Sequence, residues 1–182
     1  MCTRFAAVTV LTGYRARVRV VTSRTGYSRP VHAAPGGSSM AVVRFHLDST
    51  LTPSQALAVL TDFGPSRPRE WPSIDAGHFV VHARGANWAE VTEGTAAAWE
   101  RARYEWDADT ARVTITTLDS KLFGAGGGWT FRMTPQGAGS RVDVELTRTP
   151  ATAKGKLLAA VLPLVGPSSL RKSFAGPLRT AA

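Results

Sequence analysis

Two residues in this chain have the types and spacing for proton chemistry, Glu100 and Tyr104. Both lie in the segment Trp99-Glu100-Arg101-Ala102-Arg103-Tyr104-Glu105-Trp106. A period of two divides it into Trp99, Arg101, Arg103 and Glu105 on one face and Glu100, Ala102, Tyr104 and Trp106 on the other. If the second face is inward, Tyr104 can donate a proton and Glu100 accept one, the parts needed for acid/base enolisation at a buried site. If the first is inward, the two arginines form a clamp for a carboxylate or enolate. A solvated arginine face is the plainer reading, because unpaired Arg is seldom buried. The pattern alone leaves both faces open.

Other constellations carry less. His78 and His82 are four apart, and on a strand they share a face, with Glu90 or Glu93 on the next strand as a conceivable third ligand. No further ligand type stands nearby, and solvent-facing histidines are expected, with no metal and no cofactor. Gly124-Ala125-Gly126-Gly127-Gly128 lacks the Lys-Ser/Thr ending of a phosphate loop and leads into a strand. It is expected as a flexible loop at a pocket mouth, a lid with Leu122 and Phe123 at its tip. No Gly-x-Ser-x-Gly elbow supports a hydrolytic triad.

Positioning these groups requires regular elements, which begin after Met40. Val43, Phe45 and Leu47 alternate with Arg44, His46 and Asp48, the pattern of a half-buried strand. Thr52-Pro53-Ser54-Gln55 is a capping box with proline in the first turn. It opens a short helix with Ala56, Leu57, Leu60 and Phe63 on its buried stripe, ending at Gly64. The prolines at 65, 68 and 72 allow one more helical turn around Arg69-Glu70-Trp71. Strands follow at about 78–84, 88–93, 97–106, 110–118, 127–134 and 140–148, joined by short Gly-, Asn- and Asp-bearing turns as antiparallel hairpins. One apolar sheet face needs a cover. Leu157, Leu158, Val161, Leu162, Val165, Leu170 and Phe174 supply it at helical spacing. Thr149 is the expected cap and Pro150 the first-turn residue. Pro163 and Gly166-Pro167 are expected to kink or break the helix.

Three stretches carry a family resemblance. Leu60-Thr61-Asp62-Phe63 with Trp71-Pro72-Ser73, the charged aromatic strand Trp99 to Asp107, and Gly127-Gly128-Trp129-Thr130-Phe131-Arg132-Met133-Thr134-Pro135 with Gly139-Ser140-Arg141-Val142 occur in order. Together they resemble the SRPBCC or START-like superfamily, in its polyketide cyclase/dehydrase branch, over about 40–178. The resemblance implies an α+β helix-grip fold: a curved antiparallel sheet of about seven strands wrapped around a long C-terminal helix, with two short helices after the first strand. It also implies a pocket for a small apolar or aromatic molecule, used in some members for cyclisation or dehydration. The residues expected at that pocket are Phe45, Trp71, Trp88, Tyr104, Trp106, Ile115, Trp129, Phe131, Leu158 and Leu162.

Charge bears on the rival functions. The 182 residues carry 22 Lys and Arg against 13 Asp and Glu, a net +9 that invites nucleic acid. Residues 1–39 hold six Arg and no acid, and residues 150–182 hold five basic residues and no acid. The middle, 40–149, has eleven basic residues against all thirteen acids. The excess therefore sits at two ends, which disfavours nucleic acid as the partner of the domain. Residues 1–39 are expected to be a basic disordered extension, or upstream sequence preceding a true start at Met40. Residues 40–182 are expected to be one domain. Cys2 is the only cysteine, which rules out an intramolecular disulfide and makes a reducing cytoplasm the simplest location. The longest apolar run, Leu157 to Val165, is too short for the roughly 20 residues that span a bilayer.

The expected function is thus binding of a small hydrophobic molecule in an internal cavity by a monomer or homodimer, with cyclase or dehydratase chemistry open. The rivals are a basic adaptor for nucleic acid or anionic membrane, and a structural domain whose cavity is filled by its own side chains.

Overall fold

A computed structural model describes residues 40–180. The extension expected over 1–39 lies outside the described residues. Strand β1 (Ala41–Ser49) buries Val43, Phe45 and Leu47 and exposes Arg44, His46 and Asp48, as its alternation dictates. Helix α1 (Pro53–Leu60) starts at the Thr52 capping box, where Gln55 N–H donates to Thr52 Oγ1 (3.4 Å) and Thr52 N–H to Gln55 Oε1 (2.9 Å). It ends before Gly64, because Thr61 caps it and the Asp62 carboxylate then accepts from Gly64 N–H at 2.8 Å. Helix α2 (Arg67–Glu70) is a single turn.

Six antiparallel strands complete the sheet: β2 (Val80–Arg84), β3 (Trp88–Thr95), β4 (Ala98–Asp107), β5 (Arg112–Ser120), β6 (Phe123–Gln136) and β7 (Gly139–Pro150). The order across the sheet is β1-β7-β6-β5-β4-β3-β2. Every neighbour but one is a hairpin partner. The exception is β1, which lies beside β7, so α1 and α2 cross from one edge of the sheet to the other.

The long helix α3 (Ala153–Ala175) lies across β1 and β7. Phe174 is its anchor, with the rings of Phe45, Trp71, Trp129 and Phe131 all centred within 6.3 Å. Beyond the helix, Leu178 is fully buried and its carbonyl accepts from Ser49 Oγ at 2.5 Å. This pins the end of the chain to the end of β1.

Three local expectations change. The cap of α3 is Thr152, whose Oγ1 accepts from Gly155 N–H at 2.9 Å. Thr149 and Pro150 instead extend β7, opposite Gly124 and Phe123. Of the kink or break expected in α3, the break does not occur: the helix continues through Pro163 and Pro167. Leu162, Leu170 and Phe174 pack against the core on both sides of the prolines, and this packing outweighs the two ladder hydrogen bonds the prolines remove. The glycine run is part of β6, with a bulge between Gly124 and Gly128, which pair with Thr149 and Thr147 of β7. Gly128 has φ of 155°, and a β-carbon there would lie 1.8 Å from the Ile115 carbonyl oxygen. Only glycine allows the strands to approach so closely, and bulges bend a strand.

Candidate ligand cavity

Between the inner face of the sheet, α2 and the C-terminal half of α3 lies a cavity of about 220 Å³. Its apolar wall comes from every layer of the fold: Trp71 after α2, Tyr104 on β4, Ile115 on β5, Trp129 and Phe131 on β6, Leu170 and Phe174 on α3. The register brings these together, since Tyr104 faces Ile115 and Ile115 faces Trp129 across consecutive strands. Leu122 and Phe123 also line it, but from the short β5–β6 connection and the first residue of β6 rather than from the tip of a free lid.

Two ion pairs sit in this wall. Arg67 is 3% exposed; its Nε donates to Glu93 Oε2 at 2.9 Å, its Nη1 to the carbonyls of Leu60 (3.3 Å) and Asp62 (2.9 Å), and its Nη2 to Tyr104 Oη at 3.3 Å. Its guanidinium carbon lies 4.8, 5.1 and 5.6 Å from the ring centres of Phe63, Trp71 and Tyr104, a cation–π enclosure. Burial alone would lower the Arg67 pKa, but Glu93 and Tyr104 outweigh it and hold the guanidinium above its ordinary value. Tyr104 in turn donates its hydroxyl proton to Glu93 Oε1. Burial, then the neighbouring Glu93 carboxylate, push this phenol well above its usual range.

The second pair is Arg148 of β7 with Glu100 of β4. Arg148, 8% exposed, donates from Nη1 to Glu100 Oε2 (2.7 Å) and Thr117 Oγ1 (2.9 Å), and from Nη2 to Glu100 Oε1 (3.3 Å). Thr117 Oγ1 also donates to Glu100 Oε2 at 3.2 Å. The Arg148 guanidinium lies 5.3 and 5.4 Å from the rings of Phe123 and Trp129. Both pairs are held on more than one side, which a buried ion pair needs to offset its desolvation.

The inward face of β4 is therefore Glu100, Ala102 and Tyr104. Arg101 and Arg103 point outward, paired with Glu90 and Glu105, so they form no clamp. Of the residues expected at the pocket, Trp71, Tyr104, Ile115, Trp129 and Phe131 line it, as does Glu100. Phe45 is buried in the core against Phe174, and Trp106 packs on Phe63. Trp88 lies on the outer face, its ring 4.3 Å from the Arg103 guanidinium. Leu158 is exposed and Leu162 packs against the core, neither of them lining the cavity. The stretch of α3 that reaches the cavity is the later one, Leu170 to Phe174. His78 sits in a 3-10 turn, Ala76–His78, and only His82 is on β2, so they do not share a strand face; among the described residues no three His, Cys, Asp or Glu side chains cluster.

Sequence reasoning missed Arg67 and Arg148 altogether and weighed Glu93 only as a metal ligand. Arg148 gave a signal: in β7 it occupies the inward phase of Val142, Val144 and Leu146, a charge where the pattern demands an apolar residue. Arg67, in a proline-bounded turn, has no periodicity to betray it.

A curved seven-stranded antiparallel sheet gripping a C-terminal helix over such a cavity is the START-like helix-grip fold. Solved structures show the same architecture. The chain superposes on TTHA0849 from Thermus thermophilus with a TM-score of 0.62 at 18% identity, covering 76% of this chain and 94% of that one. It matches a START superfamily protein from Mycobacterium smegmatis with a TM-score of 0.57 at 14% identity, over 76% and 97% of the two chains. The Zhui aromatase/cyclase from Streptomyces sp. R1128 matches with a TM-score of 0.52 at 17% identity, over 76% and 87%. No protein-family model matches the chain, and no curated protein sequence does.

Proposed function

We propose that residues 40–182 are one domain that binds a small apolar or aromatic molecule of one or two rings in the cavity beneath α3. The observation that carries this is the cavity itself, about 220 Å³ and walled by aromatic rings from every layer of the fold. An engineered cavity of roughly 150 Å³ already holds benzene, so the space suits a somewhat larger guest. The same volume counts against a structural domain filled by its own side chains. The neighbour named an aromatase/cyclase supports an aromatic guest, as a likeness of fold.

Binding is favoured over cyclase or dehydratase turnover by how the polar groups are engaged. A general acid or base must change its proton during the reaction, so partners that hold it in one state work against that role. Glu93 and Glu100 are each held by an arginine, and the Tyr104 proton is already given to Glu93. Turnover of a poly-β-keto substrate that failed in Tyr104→Phe or Glu100→Gln would reverse this preference.

Three of the five tryptophans, Trp71, Trp99 and Trp129, line the cavity. Titration with naphthalene or indole should therefore quench part of the intrinsic fluorescence saturably, and Trp129→Phe should remove much of that response. No saturable binding of either probe would sink the proposal.

One observation favours a second activity at another surface, attachment to anionic membrane. Leu157, Val161 and Leu164, at helical spacing on the first half of α3, are 69%, 38% and 82% exposed. Lys154 and Lys156 stand beside them, and no acid follows Glu145 in the chain. An apolar stripe with basic neighbours suits an anionic lipid surface, whereas a second copy would set like charges against each other. Among the described residues no helix is long and apolar enough to cross a membrane. Sedimentation with phosphatidylglycerol vesicles, but not with phosphatidylcholine vesicles, should be lost in Leu157→Glu/Leu164→Glu. Binding that survived these changes and vanished on deleting residues 1–39 would assign it to the basic N-terminus instead.

A further inference from the structure

In the pairing of β3 with β4, Glu93 stands directly opposite Glu100. Both side chains are mostly buried and both line the cavity. Like charges directly opposite on one face of an antiparallel pair are destabilising, and here the repulsion is relieved from two sides. Arg67 of α2 holds Glu93, and Arg148 of β7 holds Glu100. The result is a row, Arg67–Glu93–Glu100–Arg148, joined by Tyr104 at one end and Thr117 at the other. Its net charge is zero, and it is set in an aromatic wall.

What the row still offers follows from its hydrogen bonds. A carboxylate has about four acceptor sites and a guanidinium five N–H donors. Glu93 uses two sites, for Arg67 and Tyr104; Glu100 uses three, two for Arg148 and one for Thr117. Arg67 has one N–H left after Glu93, Leu60, Asp62 and Tyr104, and Arg148 has two left after its bonds to Glu100 and Thr117. Unused acceptors and unused donors thus lie side by side in one partly buried row. A ligand carboxylate only accepts and would face two glutamates. An ammonium only donates and would face two arginines. A hydroxyl does both and brings no charge to desolvate.

We propose that the Arg67–Glu93–Glu100–Arg148 row makes this cavity selective for neutral, hydroxyl-bearing aromatic molecules, with the hydroxyl seated on the row and the ring on the aromatic wall. This rests on the cavity being a binding site, as proposed above. Two arginines in an apolar pocket would ordinarily suggest an anion site; here their charge is already spent, and anions are rejected.

The test is a matched series on the intact wild-type chain: naphthalene, 2-naphthol, 2-methoxynaphthalene, 2-naphthoate and 2-naphthylmethylammonium, by calorimetry or tryptophan quenching at pH 7. The naphthol should bind roughly tenfold or more tightly than its methyl ether, because a hydrogen bond to a charged group is lost on methylation. Both ions should bind more weakly than naphthalene. Replacing Glu100 and Arg148 together, Glu100→Gln/Arg148→Met, keeps the charge balance and should shrink the ratio of naphthol to naphthalene affinity. The inference is overturned if the naphthol shows no advantage over its ether or if the naphthoate binds as well as the naphthol. In either case naphthalene binding leaves the cavity reading standing, whereas failure of the whole series removes that reading first. Should the double variant not fold, the wild-type series still decides.

Discussion

Replacing Arg67 with Ala isolates the energetics of the buried row. The side chain is 3% exposed and gives up four sets of contacts at once: the ion pair with Glu93, two carbonyls at the end of α1 and before α2, the Tyr104 hydroxyl, and the ring faces of Phe63 and Trp71. The largest cost is the glutamate left behind, since stranding one member of a buried pair costs about 3–5 kcal/mol. The lost donor to two carbonyls adds to this only where water cannot enter the space. We expect a loss of about 4 kcal/mol, a large share of the roughly 5–15 kcal/mol that a domain possesses. Urea unfolding followed by far-UV circular dichroism should show a lower midpoint with unchanged slope, which marks a change in stability rather than in compactness. The pair Arg67→Met/Glu93→Gln should recover a substantial part of the loss, because no charge is then stranded. A single-variant loss below about 1 kcal/mol, the range of exposed pairs, would refute the argument. So would a double variant no more stable than Arg67→Ala, since the cost would then be one of packing.

Other expectations follow from the same contacts. Tyr104 is held well above the ordinary phenol range by burial and Glu93. In the unfolded chain it ionises near 10, so above that pH the unfolded state releases the proton first and folding loses this stabilisation as pH rises towards the folded value. Absorbance at 295 nm should show one of the three tyrosines titrating only with unfolding, and Tyr104→Phe should remove that step; three reversible titrations near pH 10 would contradict it. Gly128→Ala places a β-carbon against the Ile115 carbonyl at a φ of 155°; a cost of more than about 1 kcal/mol in thermal unfolding is expected, and a neutral result would mean the bulge is not so tight. Thr52→Ala removes half of the α1 capping box and should cost about 1 kcal/mol by the same measurement.

How much of this was legible in the sequence depends on whether a residue's position follows from neighbours a few places away. The strand at Val43-Phe45-Leu47, the Thr52 cap and the hairpins are local, and period and turn chemistry account for them. The segment containing Glu100 and Tyr104 was recognisable as two-faced, but a strand pattern says that its faces differ and not which one is covered. That was decided by α2 and the segment before it, distant in sequence, whose Arg67 and Phe63 pack on Tyr104 and which left Arg101 and Arg103 to pair on the outside. The first half of α3 shows the converse. Leu158 has the type and spacing of a pocket residue, yet the helix reaches the cavity only from Leu170 onward, because the chain is anchored by Phe174 and Leu178.

The sequence by itself determined the elements, their order and the apolar surface available for a core, because these depend on residue type and short-range spacing. It also placed the charge excess at the two ends. Tertiary structure alone decided that Arg67, Glu93, Glu100 and Arg148, from four different elements, stand in one neutral row. The physical reason is that each charge can be buried only beside its partner, and the partners are between 26 and 48 residues apart in the chain. No local period encodes that distance; it is set by strand register and by the bulge that curves the sheet.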